Sequence, residues 1–415
     1  MDDYTQRRVG IIGAGPAGMM AGVYAALNGA DVTIFEKNDR VGKKLGITGK
    51  GRCNVTNDCD NQEFLKNVIS NPKFLYASIS YLSTADVKSF FEGLGVELKT
   101  ERGRRVFPVS DKAQDIVSAL KNAVLDYGCK IVNERVTGLI VENNEIKGLK
   151  TIKDTYSFDA VIIATGGMSY PQTGSDGDGY KFAKSQGIEV TPILPSLVPL
   201  ETTEDLREIM GVSLKNVSLK IRNNENGKIV FEELGEMLFT HFGISGPLVL
   251  SASCHMSKIY SGKYTAMIDF KPALDIKTLD KRVLSDFSKL QNKDFANALG
   301  GLLPSKIIPY FIRKSGIEPT KKVNSITKEQ REEIVSLLKC LTLDIKCFRP
   351  VKEAIVTSGG ISVKEINPST MESKKVKGLF FAGEVIDVDA YTGGYNLQIA
   401  FSTGALAGAH SAWGE

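Results

Sequence analysis

The sequence predicts an α/β fold of the Rossmann type, and three stretches support this prediction. Residues 9–36 read as a strand, a glycine turn, an Ala-rich helix and a second strand. Residues 159–167 form another apolar strand ending in Ala-Thr-Gly-Gly, and residues 354–413 return to α/β character after a long intervening region. Strands that alternate with helices in this way build a parallel sheet with helices on its faces.

The turn in the first stretch has the spacing of a dinucleotide-binding motif. Gly13 permits the tight turn, Gly15 lets a pyrophosphate approach the backbone, and Gly18 lets the helix pack closely on the strand. Glu36 ends the second strand, where its carboxylate can accept hydrogen bonds from ribose hydroxyls. The alternative is a glycine-rich turn in an α/β protein that binds no nucleotide. The flanking strands and the acid in register disfavour that alternative.

The loop after the second strand mixes glycines with cations. Residues 42–52 contain four glycines, three lysines and Arg52. Such a loop exposes backbone N–H groups and positive charge together, which suits an anionic cofactor or substrate. The alternative is a flexible loop with solvated lysines. The run Arg52-Cys53-Asn54 disfavours it, because polar groups directed inward need partners.

The closing segment adds another turn of the same kind. An apolar strand ends at Gly383-Glu384, Asp387 follows, and Gly393-Gly394 opens a terminal helix. The start of that helix could face the N1–C2=O edge of a flavin, and Glu384 or Asp387 could accept hydrogen bonds from ribityl hydroxyls. A chain that opens with a βαβ dinucleotide site and closes in this way has the layout of a two-dinucleotide-binding FAD fold.

Changes in the residue pattern along the chain predict two insertions into this fold. Short strand-like runs separated by Asn/Gly turns predict a β-barrel-like domain, and helical spacing with exposed Lys/Glu faces predicts a small helical domain. The predicted boundaries are 1–191 and 355–415 for the two parts of the FAD-binding domain, 192–272 for the barrel-like domain, 273–343 for the helical insertion and 344–354 for a return segment of the β domain.

Composition and charge limit the function classes. The net charge of +4 comes from 52 basic and 48 acidic residues, which is weak support for nucleic-acid binding. No apolar segment is long enough to span a bilayer and no signal peptide precedes the first strand, so we expect a cytoplasmic protein. The six cysteines are scattered, without a CxxC or a His-rich motif. We therefore expect reduced thiols and no metal site.

Five motifs resemble the bacterial YhiN/BaiN-like flavoprotein family, in matching order along nearly the whole chain. They are GAGPAG at 13–18, TGKGRCNVTN at 48–57, ATGGMSYPQTGSDGDG at 164–179, FTHFGISGP at 239–247 and the segment 370–404. Members are described as NAD(P)/FAD-dependent oxidoreductases, aminoacetone oxidases and 3-dehydro-bile-acid Δ4,6-reductases. The resemblance implies an FAD domain built from both chain ends, with a barrel-like domain and a helical domain inserted.

The resemblance also implies FAD contacts spread over the whole FAD domain. They are Gly15, Pro16, Ala17, Glu36, Lys37, Lys43, Arg52, Asn54, Val136, Ala164, Thr165, Gly166, Glu384, Asp387, Asn396 and Leu397, and the turns add Gly13, Gly18 and Gly383 to the expected site. Many relatives have Gly where Lys50 and Ala390 stand and Trp where Ile399 stands. These departures lie beside the expected flavin face and leave the substrate open.

Three side chains are candidate catalytic groups. His241 lies in a glycine-rich loop of the inserted domain, and as a general acid it would suit protonation of a reduced C=C bond. Tyr170 and Tyr395 flank loops on the flavin side and could donate a hydrogen bond to a substrate carbonyl. The alternatives are a histidine bonded to backbone and tyrosines that only pack.

Three functions fit these patterns. The expected one, implied by the family resemblance, is NAD(P)H-driven reduction of an activated C=C bond in a small 3-oxo-4,6-diene (bile-acid-like) substrate. Because no second GxGxxG is visible, NAD(P)H would bind transiently at the flavin face. The second is amine oxidation with O₂ as electron acceptor. The third is modification or binding of RNA, suggested by a lysine-rich helical stretch containing Lys306, Arg313, Lys314, Lys321 and Lys322, although such a run is usually a solvated helix face. The sequence predicts no oligomeric state.

Overall fold

The structure is a computed structural model that describes residues 6–256 and 259–413. The chain divides into two compact units, Met1–Ser196 with Ala354–Glu415, and Leu197–Glu353. In chain order, the first part of the first unit contains strands β1 Arg8–Ile12, β2 Asp31–Phe35, β3 Thr56–Asn57, β4 Leu98–Glu101, β5 Arg105–Pro108, β6 Lys130–Val132, β7 Val136–Glu142, β8 Glu145–Thr151, β9 Thr155–Ser157, β10 Ala160–Ile163 and β11 Leu194–Ser196. Its helices are α1 Pro16–Leu27, α2 Asn61–Lys66, α3 Tyr76–Tyr81, α4 Thr84–Gly93, α5 Ala113–Asp126 and α6 Asp178–Ser185.

The remaining elements belong to the second unit and to the return of the chain. The second unit contains strands β12 Leu200–Thr202, β13 Ser213–Asn223, β14 Ile229–Phe239, β15 Gly243–Ser245, β16 Tyr264–Asp269 and β17 Leu341–Phe348, and helices α7 Pro247–Ser253, α8 Ile276–Lys289, α9 Ile308–Ser315 and α10 Lys328–Lys339. The chain then completes the first unit with β18 Val356–Ser358, β19 Leu379–Phe381 and α11 Tyr395–Ser411.

A parallel sheet forms the centre of the first unit and confirms the predicted α/β class. Its strand order is β19-β10-β1-β2-β6, and every neighbouring pair is parallel. β10 and β19 are apolar runs that are buried at every position, and β1 is buried at all but its first residue, as is usual in parallel sheets covered on both faces. Three small sheets, β3-β5-β4, β7-β8-β9 and β11-β18, flank it.

Two helices that follow glycine turns pack directly against each other. A Cβ placed on Gly404 of α11 would come within 2.4 Å of the Ala17 oxygen of α1, and a Cβ on Gly408 within 2.2 Å of the Ala21 oxygen. Only glycine allows backbones to approach this closely. The helix from the start of the chain and the helix from its end are therefore fixed side by side.

The second unit is a closed barrel with helices that share its hydrophobic core. The strand order is β12-β15-β14-β13-β16-β17, and β17 closes the barrel by pairing with β12. One hydrophobic cluster includes barrel residues such as Ile268 and helix residues such as Phe311. β17 begins at Leu341, inside the stretch predicted as helical, and residues 192–196 belong to the first unit because β11 pairs with β18.

Within the described ranges, no helix is long and apolar enough to cross a membrane.

Candidate cofactor site

A cavity of about 890 Å³ opens in the first unit at the carboxyl ends of its central strands. It begins at the turn after β1 and is also lined by residues that follow β2, β10 and β19. This is the sheet edge at which open α/β folds bind ligands. Of the predicted site residues, the cavity is lined by Gly13, Gly15, Pro16, Ala17, Glu36, Lys37, Lys43, Arg52, Asn54, Val136, Ala164, Thr165, Gly166, Tyr170, Glu384, Asn396 and Leu397.

The three glycines of the first turn meet three different steric demands. Gly13 has φ +104°, and a Cβ there would lie 2.6 Å from the Ala164 oxygen. A Cβ on Gly18 would lie 1.9 Å from the Gly13 oxygen, so this position holds helix against turn. A Cβ on Gly15 would meet nothing within 4 Å, and Gly15 lines the cavity. A side chain at position 15 would therefore fill space that the fold leaves open for a ligand.

Glu36 is buried and held at the cavity wall. Its Oε2 accepts from the Ala14 amide at 3.0 Å, and its Oε1 accepts from the Asn38 amide at 2.9 Å and from Asn38 Nδ2 at 2.6 Å. Each carboxylate oxygen has about two lone pairs, so Oε2 can accept one further hydrogen bond. The carboxylate is thus oriented by backbone donors and can still accept from ribose hydroxyls.

A cluster of four charged groups surrounds the same end of the cavity. Lys37 Nζ lies 2.7 Å from Asp176 Oδ1 and 3.1 Å from Asp178 Oδ2, and Arg135 lies 2.7 Å from Asp178 Oδ2. Burial opposes ionisation of Asp178, but hydrogen bonds from Lys181 and Lys37 and the Arg135 charge lower its pKa to about 2. The cluster ties α6 to the strand ends on which an adenosine moiety would rest.

Glu384 joins three loops around a lysine. Its Oε2 lies 2.6 Å from Lys44 Nζ, and its Oε1 accepts from the Thr357 amide at 2.9 Å and from Ser169 Oγ at 3.1 Å. Burial would raise the pKa of Glu384, but the Lys44 charge and these hydrogen bonds outweigh it and hold the pKa below its usual range. Glu384 is therefore an ionised anchor for Lys44.

Arg52 lines the cavity, but its donors are already engaged. Its guanidinium donates to Glu101 and Asp111, both at 2.5 Å from NH2, and lies 4.2 Å from the centroid of the Phe107 ring. Lys99 also pairs with Asp111 at 2.8 Å. Two carboxylates therefore neutralise the charge of Arg52, and its predicted contact to FAD stays a prediction.

Two buried oxygen atoms of the cavity lining have no hydrogen-bond partner within residues 6–256 and 259–413. They are Asn54 Oδ1 and Thr165 Oγ1. A buried polar atom without a partner is costly unless a ligand or water satisfies it. Together with the open space at Gly15 and the oriented acid at Glu36, these atoms fit a bound dinucleotide with many polar groups.

Asn396 organises the start of α11. Its Oδ1 accepts from the Ala390 amide at 3.0 Å, and its Nδ2 donates to the Ala390 oxygen at 2.7 Å and to the Tyr391 oxygen at 3.2 Å. A Cβ on Gly394 would lie 2.3 Å from the Thr56 oxygen. The side chain of Asn396 thus holds the loop at the cavity wall, while the first turn of α11 faces the cavity at Leu397.

Five predicted site residues lie outside the lining of the cavity. Gly18 and Gly383 pack the helices, since a Cβ on Gly383 would lie 2.7 Å from Ala17 Cβ. Asp387 is half-buried away from the cavity, where burial raises its pKa and where Thr191 and Asn71 hydrogen-bond it. The Tyr395 ring packs on Phe64 with centroids 5.6 Å apart, and burial raises its pKa to about 12.

His241 is the fifth of these residues. It lies between β14 and β15 of the second unit, where its side chain is exposed and its ring is 5.0 Å from that of Phe242.

The cavity is also lined by polar and aromatic residues that are absent from the predicted set, among them Asn38, Lys44, Arg105, Phe107 and Arg135. Lys44 stands in the cationic loop, and Asn38 and Arg135 each lie within two residues of a predicted contact, so proximity to a motif is a signal that could have found them. Arg105 and Phe107 come from the β4–β5 hairpin, which carries no nucleotide-binding motif.

Cys53, Cys59 and Cys129 are buried free thiols. Within the described ranges, no group of three or more His, Cys, Asp or Glu could hold a metal ion.

Comparisons with known proteins extend this picture. A family model described as HI0933-like protein Rossmann domain matches residues 7–410. The chain is 32% identical over 410 residues to a 3-dehydro-bile acid delta(4,6)-reductase of Clostridium scindens, covering 97% of this chain and 98% of that protein. It is 31% identical over 401 residues to a ribosomal RNA dihydrouridine synthase of Haemophilus influenzae, covering 95% of each. A protein of the same name from Escherichia coli is 29% identical over 409 residues, with 95% of each covered.

Solved structures agree on the fold. A 3-ketosteroid delta1-dehydrogenase from Sterolibacterium denitrificans superimposes with a TM-score of 0.50 at 14% identity, covering 98% of this chain and 100% of that chain. Mycobacterium smegmatis Sdh1 also gives a TM-score of 0.50, at 16% identity, with 98% of this chain and 68% of that chain covered. The resemblance expected from the motifs is confirmed by the family match: the chain belongs to the HI0933-like Rossmann-domain family of FAD-dependent flavoprotein oxidoreductases.

Proposed function

We propose that this chain is an FAD-dependent reductase that adds hydrogen across a C=C bond conjugated to a carbonyl. Its substrate would be a 3-oxo-4,6-diene of the bile-acid type, and NAD(P)H would be the electron donor. The observation that carries the proposal is the similarity to the Clostridium scindens delta(4,6)-reductase, which covers 97% of this chain and 98% of that protein. The similarity therefore includes both the cavity and the inserted unit.

The cofactor would lie along the cavity, held by the residues described above. The Gly13–Ala17 turn would receive the pyrophosphate on the N-terminus of α1, and Glu36 would accept from the ribose. Lys37 and Arg135 would support this end through their aspartates, while Asn54, Thr165 and Leu397 line the path of the rest of the molecule. FAD, when bound and reduced by NAD(P)H, would supply a hydride to one carbon of the substrate bond, and water would supply the proton that completes the reduction.

The chain itself would supply the hydrogen bond that polarises the substrate carbonyl. Tyr170 lines the cavity, and its backbone is fixed in the left-handed region at φ +51°. The backbone carbonyl oxygen of Tyr170 also accepts hydrogen bonds from the Thr173 amide at 2.8 Å and from Thr173 Oγ1 at 2.7 Å. A phenol on such a fixed segment is suited to donate to a substrate oxygen as charge develops on it. Among the three predicted catalytic groups, Tyr170 is the one at the cavity wall.

Modification of uridine in ribosomal RNA is the second candidate, and the two dihydrouridine synthases favour it. Conversion of uridine to dihydrouridine also saturates a C=C bond next to a carbonyl, so the chemistry at the cavity would be the same. The lysine-rich stretch of the second unit adds little support. Lys306 donates to the Met210 oxygen at 2.5 Å, Lys321 to Gln330 at 2.7 Å and Lys322 to Asp294 at 2.7 Å, so these ammonium groups donate within the protein and that of Lys322 is paired with a carboxylate.

Anaerobic stopped-flow spectroscopy of the FAD-loaded protein tests the proposal. We expect NADH or NADPH to bleach the flavin and the steroid dienone to restore its colour rapidly, with slow reoxidation by O₂. Restoration by uridine-containing ribosomal RNA but not by the steroid would favour the second candidate. Bleaching by a primary amine, followed by prompt peroxide formation with O₂, would indicate the oxidase and overturn the proposal.

The variant Tyr170→Phe tests the role of the tyrosine. It should lower the rate of substrate reduction by about 100-fold, as expected for loss of one donor to a developing oxyanion. The rate of bleaching by NAD(P)H and the affinity for FAD should stay unchanged. The matched control is Tyr76→Phe, since Tyr76 is exposed on α3 and does not line the cavity.

A further inference from the structure

The cationic side chains that line the cavity differ in whether a carboxylate lies close enough to neutralise them. Seven cationic side chains contribute to the lining, and five of them lie within 4.0 Å of a carboxylate: Lys37, Lys43, Lys44, Arg52 and Arg135. Within residues 6–256 and 259–413, Lys50 and Arg105 have no carboxylate within that distance. Both side chains are exposed.

The two unpaired cations belong to the same end of the cavity. The Arg105 guanidinium lies 5.8 Å from the centroid of the Phe107 ring. A Cβ on Gly49, next to Lys50, would lie 3.5 Å from Phe107 Cε1. The Arg105 guanidinium and the backbone turn that carries Lys50 therefore both lie close to Phe107, and all three residues line the cavity.

The backbone holds this end in place. Asn57 Nδ2 donates to the Gly103 oxygen at the tip of the β4–β5 hairpin at 3.1 Å and to the Gly393 oxygen before α11 at 3.0 Å. Lys50 has φ +59° between Gly49 at +57° and Gly51 at +86°, a conformation that glycine adopts more readily than lysine. The hairpin that carries Arg105 is thus held at its tip, and the turn that carries Lys50 is closed by the hydrogen bond from the Cys53 amide to the Thr48 oxygen at 3.0 Å.

This end is separate along the chain from the turn that would take the phosphates of the cofactor. The cationic loop leaves that turn at Gly42, whose amide donates to the Ala14 oxygen at 2.9 Å, and reaches Phe107 at Gly49. The cations between these points, Lys43 and Lys44, are paired with Asp39 and Glu384. Free positive charge therefore remains where the lining is aromatic.

We propose that Lys50 and Arg105 form a subsite for an oxyanion of the substrate, a carboxylate or a phosphate, at the Phe107 end of the cavity. The inference rests on the proposed function, because it names a recognition element for that substrate. Arg105 can bind an oxyanion with two parallel hydrogen bonds, and Lys50 adds a point charge. Phe107 would contact the apolar or planar part of the substrate beside the anionic group.

Binding of matched charged and neutral ligands tests the proposal without requiring turnover. The ligands are a 3-oxo-4,6-diene steroid carboxylic acid with its methyl ester, and uridine 5′-monophosphate with uridine. Each would be titrated into the FAD-loaded protein, with the flavin absorbance as readout. We expect at least one acid to bind about 10- to 100-fold more tightly than its neutral partner. Which acid does so identifies the source of the oxyanion.

The double variant K50A/R105A should remove this preference and leave the affinity for the neutral ligand and for FAD unchanged. The conservative variant K50R/R105K should retain most of it. The matched control is R40A/K121A, which removes the same charge from exposed positions outside the cavity lining.

The inference would be overturned if the unchanged protein bound the acid and the neutral ligand equally, or bound neither acid. It would also be overturned if the preference for the acid survived in K50A/R105A, or if that variant bound FAD more weakly. Failure of the proposed function would appear differently, as absence of turnover whatever the affinities.

Discussion

Substitution by alanine should have different effects at two glycines three residues apart: loss of stability at Gly18 and loss of FAD affinity at Gly15. In Gly18→Ala, the new Cβ would lie 1.9 Å from the Gly13 oxygen and 3.1 Å from the Gly13 carbonyl carbon. Alanine would add up to about 1 kcal/mol of helix propensity. Overpacking of this kind costs about 1–3 kcal/mol or more, and a backbone oxygen cannot rotate away as a side chain can. We expect a net loss of at least about 2 kcal/mol in the free energy of unfolding.

Gly15→Ala should leave the fold intact and damage the ligand site. Gly15 has φ −80° and ψ −176°, which alanine adopts without strain, and no atom lies within 4 Å of the added Cβ. The free energy of unfolding should therefore change by less than about 1 kcal/mol. The methyl group would occupy the space through which a phosphate reaches the backbone N–H groups. Loss of one hydrogen bond to a charged group predicts an FAD dissociation constant raised about 10- to 100-fold.

Urea unfolding of the FAD-free proteins and titration with FAD, followed by flavin fluorescence, measure the two effects separately. The reasoning fails if Gly15→Ala lowers the unfolding midpoint as much as Gly18→Ala does. It also fails if Gly15→Ala binds FAD as tightly as the unchanged protein.

Three further predictions concern charges and thiols. Glu384→Gln leaves Lys44 without its carboxylate and should lower the free energy of unfolding, measured in urea, by about 2 to 3 kcal/mol. An unchanged unfolding midpoint would contradict a stabilising role for the Lys44–Glu384 ion pair. Because the pKa of Asp178 is lowered to about 2, its contribution to stability is complete above its ordinary value of 3.8 and is lost as the pH falls toward 2. Asp178→Asn should therefore flatten the decline of the melting temperature between those pH values, and an unaltered decline would refute this. Burial raises the pKa of the Cys53 thiol to about 12 and those of the Cys59 and Cys129 thiols to about 11. Iodoacetamide at pH 8 should therefore label these three thiols much more slowly in the folded protein than in urea, and peptide mass mapping can measure the difference.

The glycine turn was predictable because its constraints are local. Gly18 must be glycine because a Cβ there would meet the oxygen of Gly13, which lies only five residues earlier in the chain. The acid at Glu36 follows from the length of one βαβ unit. Fold class and family depend on such local patterns, and both predictions were confirmed, the first by the parallel sheet and the second by the family match.

The pairing of charges was not predictable because the partners are distant in sequence. Arg52 is neutralised by Glu101 and Asp111, which belong to other elements of the first unit. A cationic loop read alone therefore suggests more free charge than the folded protein has. The distinction between Arg52 and Lys50, two residues apart, exists only in three dimensions.

The face of an element that is buried all round is also hard to predict. α11 is buried along nearly its whole length, so hydrophobic periodicity does not indicate which side borders the cavity. Tyr395 packs on Phe64, while Leu397 lines the cavity. In the preceding loop Asp387 points away from the cavity, and Val388, its neighbour, lines it.

The points at which the inserted segment begins and ends are close together in each unit. In the first unit Ser196 pairs with Val356, and in the second unit Leu200 on the first barrel strand pairs with Phe348 on the last. Paired strands lie about 5 Å apart, so each unit closes on itself at the junction. A lineage can therefore lengthen or exchange the whole segment while the nucleotide-binding part is inherited unchanged.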